Sequence, residues 1–207
     1  LDIRTVRDQT IKESNITASK SDKMLFDEGI VLCADICNTN ITFEIKKKSH
    51  IEYINLLEVF GVDPEKAEKR FSEIVQLSEA AMSAGLVYYV IPHSTYSLSL
   101  PLLRMVRSAT SSNRVTSIHF MESAAEEEFL SNHSGPIKES YLRSGLRITH
   151  ETVSDHVTAV LNEITRSGNL ILVHNTFAGK EIVRKLHERK NLFWCLCPRS
   201  NLYIENH

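Results

Sequence analysis

The sequence predicts an α/β protein that forms the central part, about strands two to seven, of an eight-stranded (β/α)8 TIM barrel. Six short apolar runs rich in Val, Ile, Leu and aromatic residues recur along the chain, bounded by turn residues and separated by segments of helical periodicity. The span from Asp35 to Cys197 holds five βα repeats of about 32 residues each, so eight repeats need about 260 residues, close to the roughly 250 of such a barrel. Polar residues close nearly every run: Asp35, Glu58, His93, His119 and His174. Length alone fits an open doubly wound sheet of six strands better. Against that sheet, no Gly-rich phosphate turn follows any run, and a barrel gathers all its strand ends at one mouth, whereas an open sheet uses mainly those at its switch point.

Strands are expected over 30–35, 51–59, 86–91, 115–120, 169–173 and 191–196. Helices are expected over 42–48, 64–84, 98–111, 124–132, 154–167 and 179–190, with a further one over 13–28, closed by Gly29, before the first strand. The longest opens on Asp63-Pro64-Glu65, an N-cap followed by proline at the first helical position, and closes before Gly85. Its Ala67, Phe71, Ile74, Leu77, Ala81 and Met82 recur at three-and-four spacing, the pattern of one buried face. The polar stretch 132–152, with Gly135-Pro136 and Gly145, reads as a loop with one short helix over the site.

Bulk composition narrows the partners. The 207 residues, 42% hydrophobic, suit a single domain over 1–207. Lys and Arg number 24 against 26 Asp and Glu, a net charge of -2 that gives no broad pull toward nucleic acid or anionic membrane. No apolar stretch approaches the roughly 18 residues needed to span a bilayer and no signal peptide is visible, so a cytoplasmic location is expected. The first residue is Leu1, not Met, and the sequence stops just after a strand and turn, which reads as part of a longer protein. Cys33, Cys37, Cys195 and Cys197 read as reduced, buried thiols, because their spacings do not suit a four-thiolate zinc site. Lys46-Lys47-Lys48 reads as a solvated helix end and Glu126-Glu127-Glu128 as acids near a helix start, both favoured by the helix dipole. Asp35 and Glu58 either line the mouth or pair with Lys or Arg inside.

Three histidines carry the chemistry. His93, His119 and His174 each sit at the C-terminal end of an apolar run, the edge of a parallel sheet that bears its sites. His119-x-x-Glu122 sets an imidazole at a strand end and a carboxylate just beyond it; a neutral imidazole suits zinc or iron, and a carboxylate off the metal can shuttle a proton. Taken alone, His174 with its neighbour Asn175 fits a buried histidine bonded to a backbone carbonyl. His93 precedes the hydroxyl-rich run Ser94-Thr95-Tyr96-Ser97, suited either to a polar ligand group or to a turn. His50, His133, His150, His156, His187 and His207 read as solvated surface residues.

Four segments together resemble the amidohydrolase superfamily: Ile91-Pro92-His93-Ser94-Thr95-Tyr96-Ser97, Ser117-Ile118-His119-Phe120-Met121-Glu122-Ser123, Leu172-Val173-His174-Asn175 and Cys195-Leu196-Cys197-Pro198-Arg199-Ser200-Asn201-Leu202. The nearest branch is that of the chlorohydrolases and aminated-nucleoside deaminases, which includes adenosylhomocysteine and aminofutalosine deaminases, and the likeness covers about residues 25–205. It implies a metal-dependent barrel hydrolase in which His119 binds the metal, Glu122 is the proton shuttle and His174 binds metal or acts in catalysis. It also implies that His93 contacts substrate and that Asn201, in the turn after strand seven, shapes the pocket. The implied cofactor is a divalent metal, zinc first, with iron or manganese as alternatives. The implied partner is a small heterocyclic substrate, deaminated by metal-activated hydroxide, with a homodimer as the candidate assembly. The family's strand-one His-x-His pair and strand-eight aspartate have no match in these 207 residues and are expected outside them, so the segment alone is expected to bind metal poorly and to be inactive. The alternatives are a non-catalytic barrel relative and a metal-independent open-sheet α/β enzyme.

Overall fold

The computed structural model of the chain describes residues 11–148, 160, 161, 163, 164 and 168–206. In order, its elements are α1 (Ile11–Asp27), β1 (Leu32–Cys37), α2 (Phe43–Lys46), β2 (Glu52–Val59), a 3-10 turn (Pro64–Lys66), α3 (Ala67–Ser83), β3 (Val87–Pro92), α4 (Leu100–Thr110), β4 (Val115–Phe120), α5 (Ala124–Asn132), α6 (Gly135–Arg143), β5 (Asn169–His174), α7 (Lys180–Leu186), β6 (Leu192–Cys195) and α8 (Pro198–Glu205). The helix expected over 154–167 lies largely outside the described residues, as do His150, His156 and His207. The strands form two open three-stranded sheets, ordered β1-β2-β3 and β4-β5-β6. The pairs β1–β2, β4–β5 and β5–β6 are parallel, the geometry that requires a crossover between successive strands. Among the described residues, no helix is long and apolar enough to cross a membrane.

The described chain falls into two compact units, one of Leu1–Leu57 with Val75–Tyr89 and the other of Glu58–Ile74 with Val90–His207. In the first, Cys37, Phe43, Ile51, Leu56, Leu57 and Ala81 are buried. The carboxylate of Asp22 accepts the hydroxyls of Ser49 at 2.6 Å and Tyr53 at 2.8 Å, tying α1 to the start of β2. In the second, Ile118 and Phe120 of β4 and Leu170 and Leu172 of β5 are almost wholly buried, as are Leu102, Leu103 and Val106 along one face of α4. The register runs from Val115↔Asn169 to Phe120↔His174.

Several expectations change for local physical reasons. The first strand begins two residues late because α1 closes in a Schellman arrangement: Gly29 stands at φ 91, and the amides of Gly29 and Ile30 bond the carbonyls of Phe26 and Leu25. Asp35 therefore lies inside β1 and pairs with Lys46 at 2.5 Å. Lys46 is not solvated; Asn55 Oδ1 at 2.7 Å and Cys37 Sγ at 2.9 Å hold its ammonium with Asp35, and it is buried. Of the cysteines, Cys37 is buried, Cys33 and Cys197 are half-buried and Cys195 is exposed; all four are free thiols. Met82 is exposed because it lies about 100° around α3 from the buried Ala81. His133 is half-buried, closing α5 in the left-handed conformation (φ 50) with its ring beside Phe129. Glu126 is fully buried rather than a solvated helix-start acid. The segment after β6, expected as a turn, is a helix with Pro198 in its first turn. The short helix expected within 132–152 is α6, whose Tyr141 ring meets Phe129 edge-on at 5.9 Å.

Gly168 leads into β5 at φ 78, and a Cβ there would sit 2.3 Å from the carbonyl oxygen of Asn113. Replacing Gly168 with Ala is expected to lower the stability of the second unit by roughly 3 kcal/mol in urea unfolding, through the strained φ and the backbone clash. A loss below about 1 kcal/mol would contradict this packing.

Candidate active site

The side chains that converge all belong to the second unit, and the parallel ladder brings their strand ends level. Glu58 is the penultimate residue of β2, His93 follows β3, His119 is penultimate in β4, and His174 ends β5. The amide of His93 donates to Val59 O at 2.9 Å, that of His119 to His93 O at 2.8 Å, and that of Asn175 to Phe120 O at 2.9 Å. The imidazole centroids of His93 and His119, and of His119 and His174, are each 5.1 Å apart. Glu122 lies just beyond β4, with its Oε1 3.4 Å from His174 Nε2.

Register alone would not bring His119 and His174 together. Paired residues on parallel strands share a face and successive residues alternate, so Phe120↔His174 pairing places His174 on the face of Phe120, opposite that of His119. His174 escapes this because its backbone turns left-handed, φ 76, followed by Asn175 at φ 59. Its Nε2 then lies 3.1 Å from His119 Nδ1. Asn201 secures the turned residue on both sides: its Nδ2 donates to His174 O at 3.3 Å and its Oδ1 faces His174 Nδ1 at 3.2 Å.

These partners assign the tautomers. With the Asn201 amide donating through nitrogen, its oxygen accepts from His174 Nδ1–H, which leaves a lone pair on Nε2. Glu58 Oε1, 3.4 Å from His119 Nε2, places a proton there and leaves a lone pair on Nδ1. When both rings are neutral, two lone pairs face each other at 3.1 Å. A proton or a cation between them relieves that repulsion. Accordingly, the Glu58 hydrogen bond holds the His119 pKa above its ordinary value, with burial opposing and the charges of Glu58, Glu122 and Glu126 adding to the rise.

The donor set also fits a metal ion. His119, Glu122 and His174 offer ligand atoms that lie within 4.8 Å of one another, and so do Glu58, His93 and His119. The first group is better prepared, because each of its imidazoles has its other nitrogen against an oxygen acceptor, the arrangement that orients metal-ligating histidines. In the second group, Glu58 Oε1 lies 3.4 Å from His119 Nε2. His93 has a different environment. Ser94 Oγ donates to Ser97 Oγ at 2.7 Å, and His93 Nδ1 lies 3.0 Å from Ser94 Oγ and 2.8 Å from Ser97 Oγ, so the serine hydroxyls hold that ring nitrogen. Burial pushes the His93 pKa down, so the ring stays neutral and offers an N–H donor. Its edge-on neighbours are Phe60 and Tyr96, each 6.1 Å away, and burial pushes the Tyr96 hydroxyl up to about 12.

The structure thus brings together His93, His119, Glu122, His174 and Asn201, the last against His174. Glu58 joins them; its place at the end of an apolar run was the available sign, and its pairing with His119 decides between the two readings open to it. Glu126, fully buried behind Glu122, was signalled only by the capping-box spacing Ser123-x-x-Glu126.

No protein-family model matches the chain. An adenosine deaminase of Helicobacter pylori is 26% identical over 184 residues, which cover 84% of this chain and 43% of that protein. A crystal structure of Helicobacter pylori aminofutalosine deaminase superposes with a TM-score of 0.75 at 21% identity, over 93% of this chain and 49% of that one. The same enzyme in complex with methylthio-coformycin gives a TM-score of 0.73 at 22% identity, over 89% of this chain and 46% of that one. A mutant atrazine chlorohydrolase of Arthrobacter aurescens TC1, complexed with zinc and atraton, gives 0.55 at 11% identity, over 86% of this chain and 41% of that one. The chain spans about half the length of the relatives it matches. The chain is thus similar in sequence to a deaminase, and its fold matches about half of the solved deaminase and chlorohydrolase structures.

Proposed function

We propose that this chain supplies part of the active site of a metal-dependent hydrolase that deaminates an aminated heterocycle or nucleoside. The observation that carries the reading is the approach of His119 Nδ1 and His174 Nε2 to 3.1 Å, with the Glu122 carboxylate 3.4 Å from the latter. The relatives support the substrate class, since one is an aminofutalosine deaminase crystallised with methylthio-coformycin and another an adenosine deaminase. His119 and His174 would hold the metal, and zinc suits two imidazoles with a nearby carboxylate, as would iron or manganese. A divalent cation held there would supply the Lewis acidity that makes water a nucleophile near neutral pH.

The chain's own residues do the rest. Glu122 takes a proton from the attacking water as its oxygen bonds to the carbon that bears the amine. The same carboxyl then gives that proton to the departing nitrogen as the C–N bond breaks, releasing ammonia and leaving Glu122 ionised for the next turn. His93 bonds a polar group of the substrate ring through its Nε2. Asn201 keeps His174 in its turned position, and Glu58 keeps His119 in the tautomer that offers Nδ1.

Replacing Glu122 with Gln in the full-length, metal-loaded protein is expected to cut turnover by about 10²- to 10⁴-fold while metal content stays unchanged. Ammonia release from a panel that includes adenosine and aminofutalosine measures it, and turnover within about tenfold of wild type would remove Glu122 from the role. A second expectation concerns pH. A metal on His119 Nδ1 must displace the imidazolium's second proton from that nitrogen, a charged form that the neighbouring Glu58 favours, so zinc affinity should rise with pH through a His119 pKa above the ordinary value of about 6.5. NMR titration of the metal-free protein should place His119 above and His93 below that value; the reverse order would contradict the environments described.

A further inference from the structure

Glu126 has no exposed surface, although it opens a run of three acids near the start of α5. Ser123 caps the helix and accepts the Glu126 amide at 3.1 Å. In an ordinary capping box, the carboxylate at this position returns to the amide of the capping residue. Here it is bonded further back along the chain. Oε2 accepts the Glu122 amide at 2.8 Å and Oε1 the Met121 amide at 3.3 Å. Oε1 also accepts the Thr95 hydroxyl at 2.5 Å.

Two features make this more than helix capping. Met121 stands in the left-handed region, φ 50, which a side chain of its kind adopts only where the surroundings enforce it. The hydrogen bonds to Glu126 hold that residue and the next, and the next is Glu122. Thr95 lies two residues after His93, in the loop whose Ser94 and Ser97 hydroxyls hold the His93 ring nitrogen. One buried carboxylate therefore fastens both the turn that presents Glu122 and the loop that presents His93.

We propose that Glu126 is a positioning residue that acts through Glu122, locking the Met121–Glu122 backbone so that the Glu122 carboxylate is held beside His174. This inference rests on the role given to Glu122 in the proposed function. The rival is a purely structural role, in which Glu126 stabilises α5 and nothing more.

The test is a double-mutant cycle in the full-length, metal-loaded protein, with Glu122→Gln, Glu126→Gln, both together, and Thr95→Val. Glu126→Gln should lower kcat by about 10- to 100-fold with KM and bound metal little changed, because misplacing a reacting group costs turnover rather than binding. The double variant should be no slower than Glu122→Gln alone, since a residue acting through another adds nothing once that one is gone. Independently of activity, the Glu122 amide should exchange hydrogen at least about tenfold faster in Glu126→Gln than in wild type. Thr95→Val should shift kcat and exchange in the same direction by smaller factors; it leaves Glu126 in place and carries both readouts if Glu126→Gln does not fold. Losses that multiply in the double variant, or unchanged exchange at Glu122, would overturn the proposal. If Glu122→Gln keeps its turnover, the shuttle reading fails instead, and the exchange measurement still decides whether Glu126 holds the turn.

Discussion

Side chains alternate across a β-strand, and this alternation would keep His119 and His174 on opposite faces of their sheet. The candidate site exists because the backbone at His174 turns left-handed at the last residue of β5. Such a turn costs on the order of 1–3 kcal/mol at a non-glycine residue and persists only where its surroundings over-determine it. Here they do. The Asn175 amide is bound to Phe120 O at 2.9 Å, and its side chain donates to Leu172 O at 2.8 Å and Cys195 O at 3.3 Å. Asn201, from α8, grips the His174 carbonyl and ring together. Parallel pairing levels the strand ends, and the asparagines reverse one side chain.

That reversal sets the electrostatics. His174 Nε2 and His119 Nδ1 meet at 3.1 Å, a contact that a proton or another positive charge between them would stabilise. Glu58 and Asn201, by claiming the outer nitrogens, keep both rings from rotating out of the problem. His93, one strand over, escapes it because a serine relay takes its Nδ1 and burial keeps it neutral. His93 and His119, their ring centroids 5.1 Å apart, are thus pushed in opposite directions by their neighbours, the general means by which like groups acquire unlike roles.

The alternation and punctuation of the sequence were enough to locate the strands and to set the three histidines at their ends, because period-two burial and turn residues are local signals. β1 shifted since the α1 cap consumed Ile30, a hydrogen-bonding detail beyond composition. Lys46 and Glu126 were misread for one shared reason. A charged residue in a charged run looks solvated, and its burial depends on partners distant in sequence, Asp35 and Asn55 for the lysine and Thr95 for the glutamate. Glu58 stood between two readings until His119 arrived from another strand. The turn at His174 had no sign in the sequence beyond the asparagine that follows it, a residue type that tolerates φ above zero.

The two buried charges also differ in what they leave behind. Lys46 meets an opposite charge, the half-exposed Asp35 carboxylate at 2.5 Å, so its buried ammonium is paired. Glu126 meets only a hydroxyl and two amides, all neutral donors, and burial pushes its carboxyl pKa up. With Glu58 and Glu122, it makes three carboxylates that all favour positive charge on His119. In a partly buried setting, where charges are weakly screened, the same carboxylates that favour a proton on His119 would also favour a cation placed beside it.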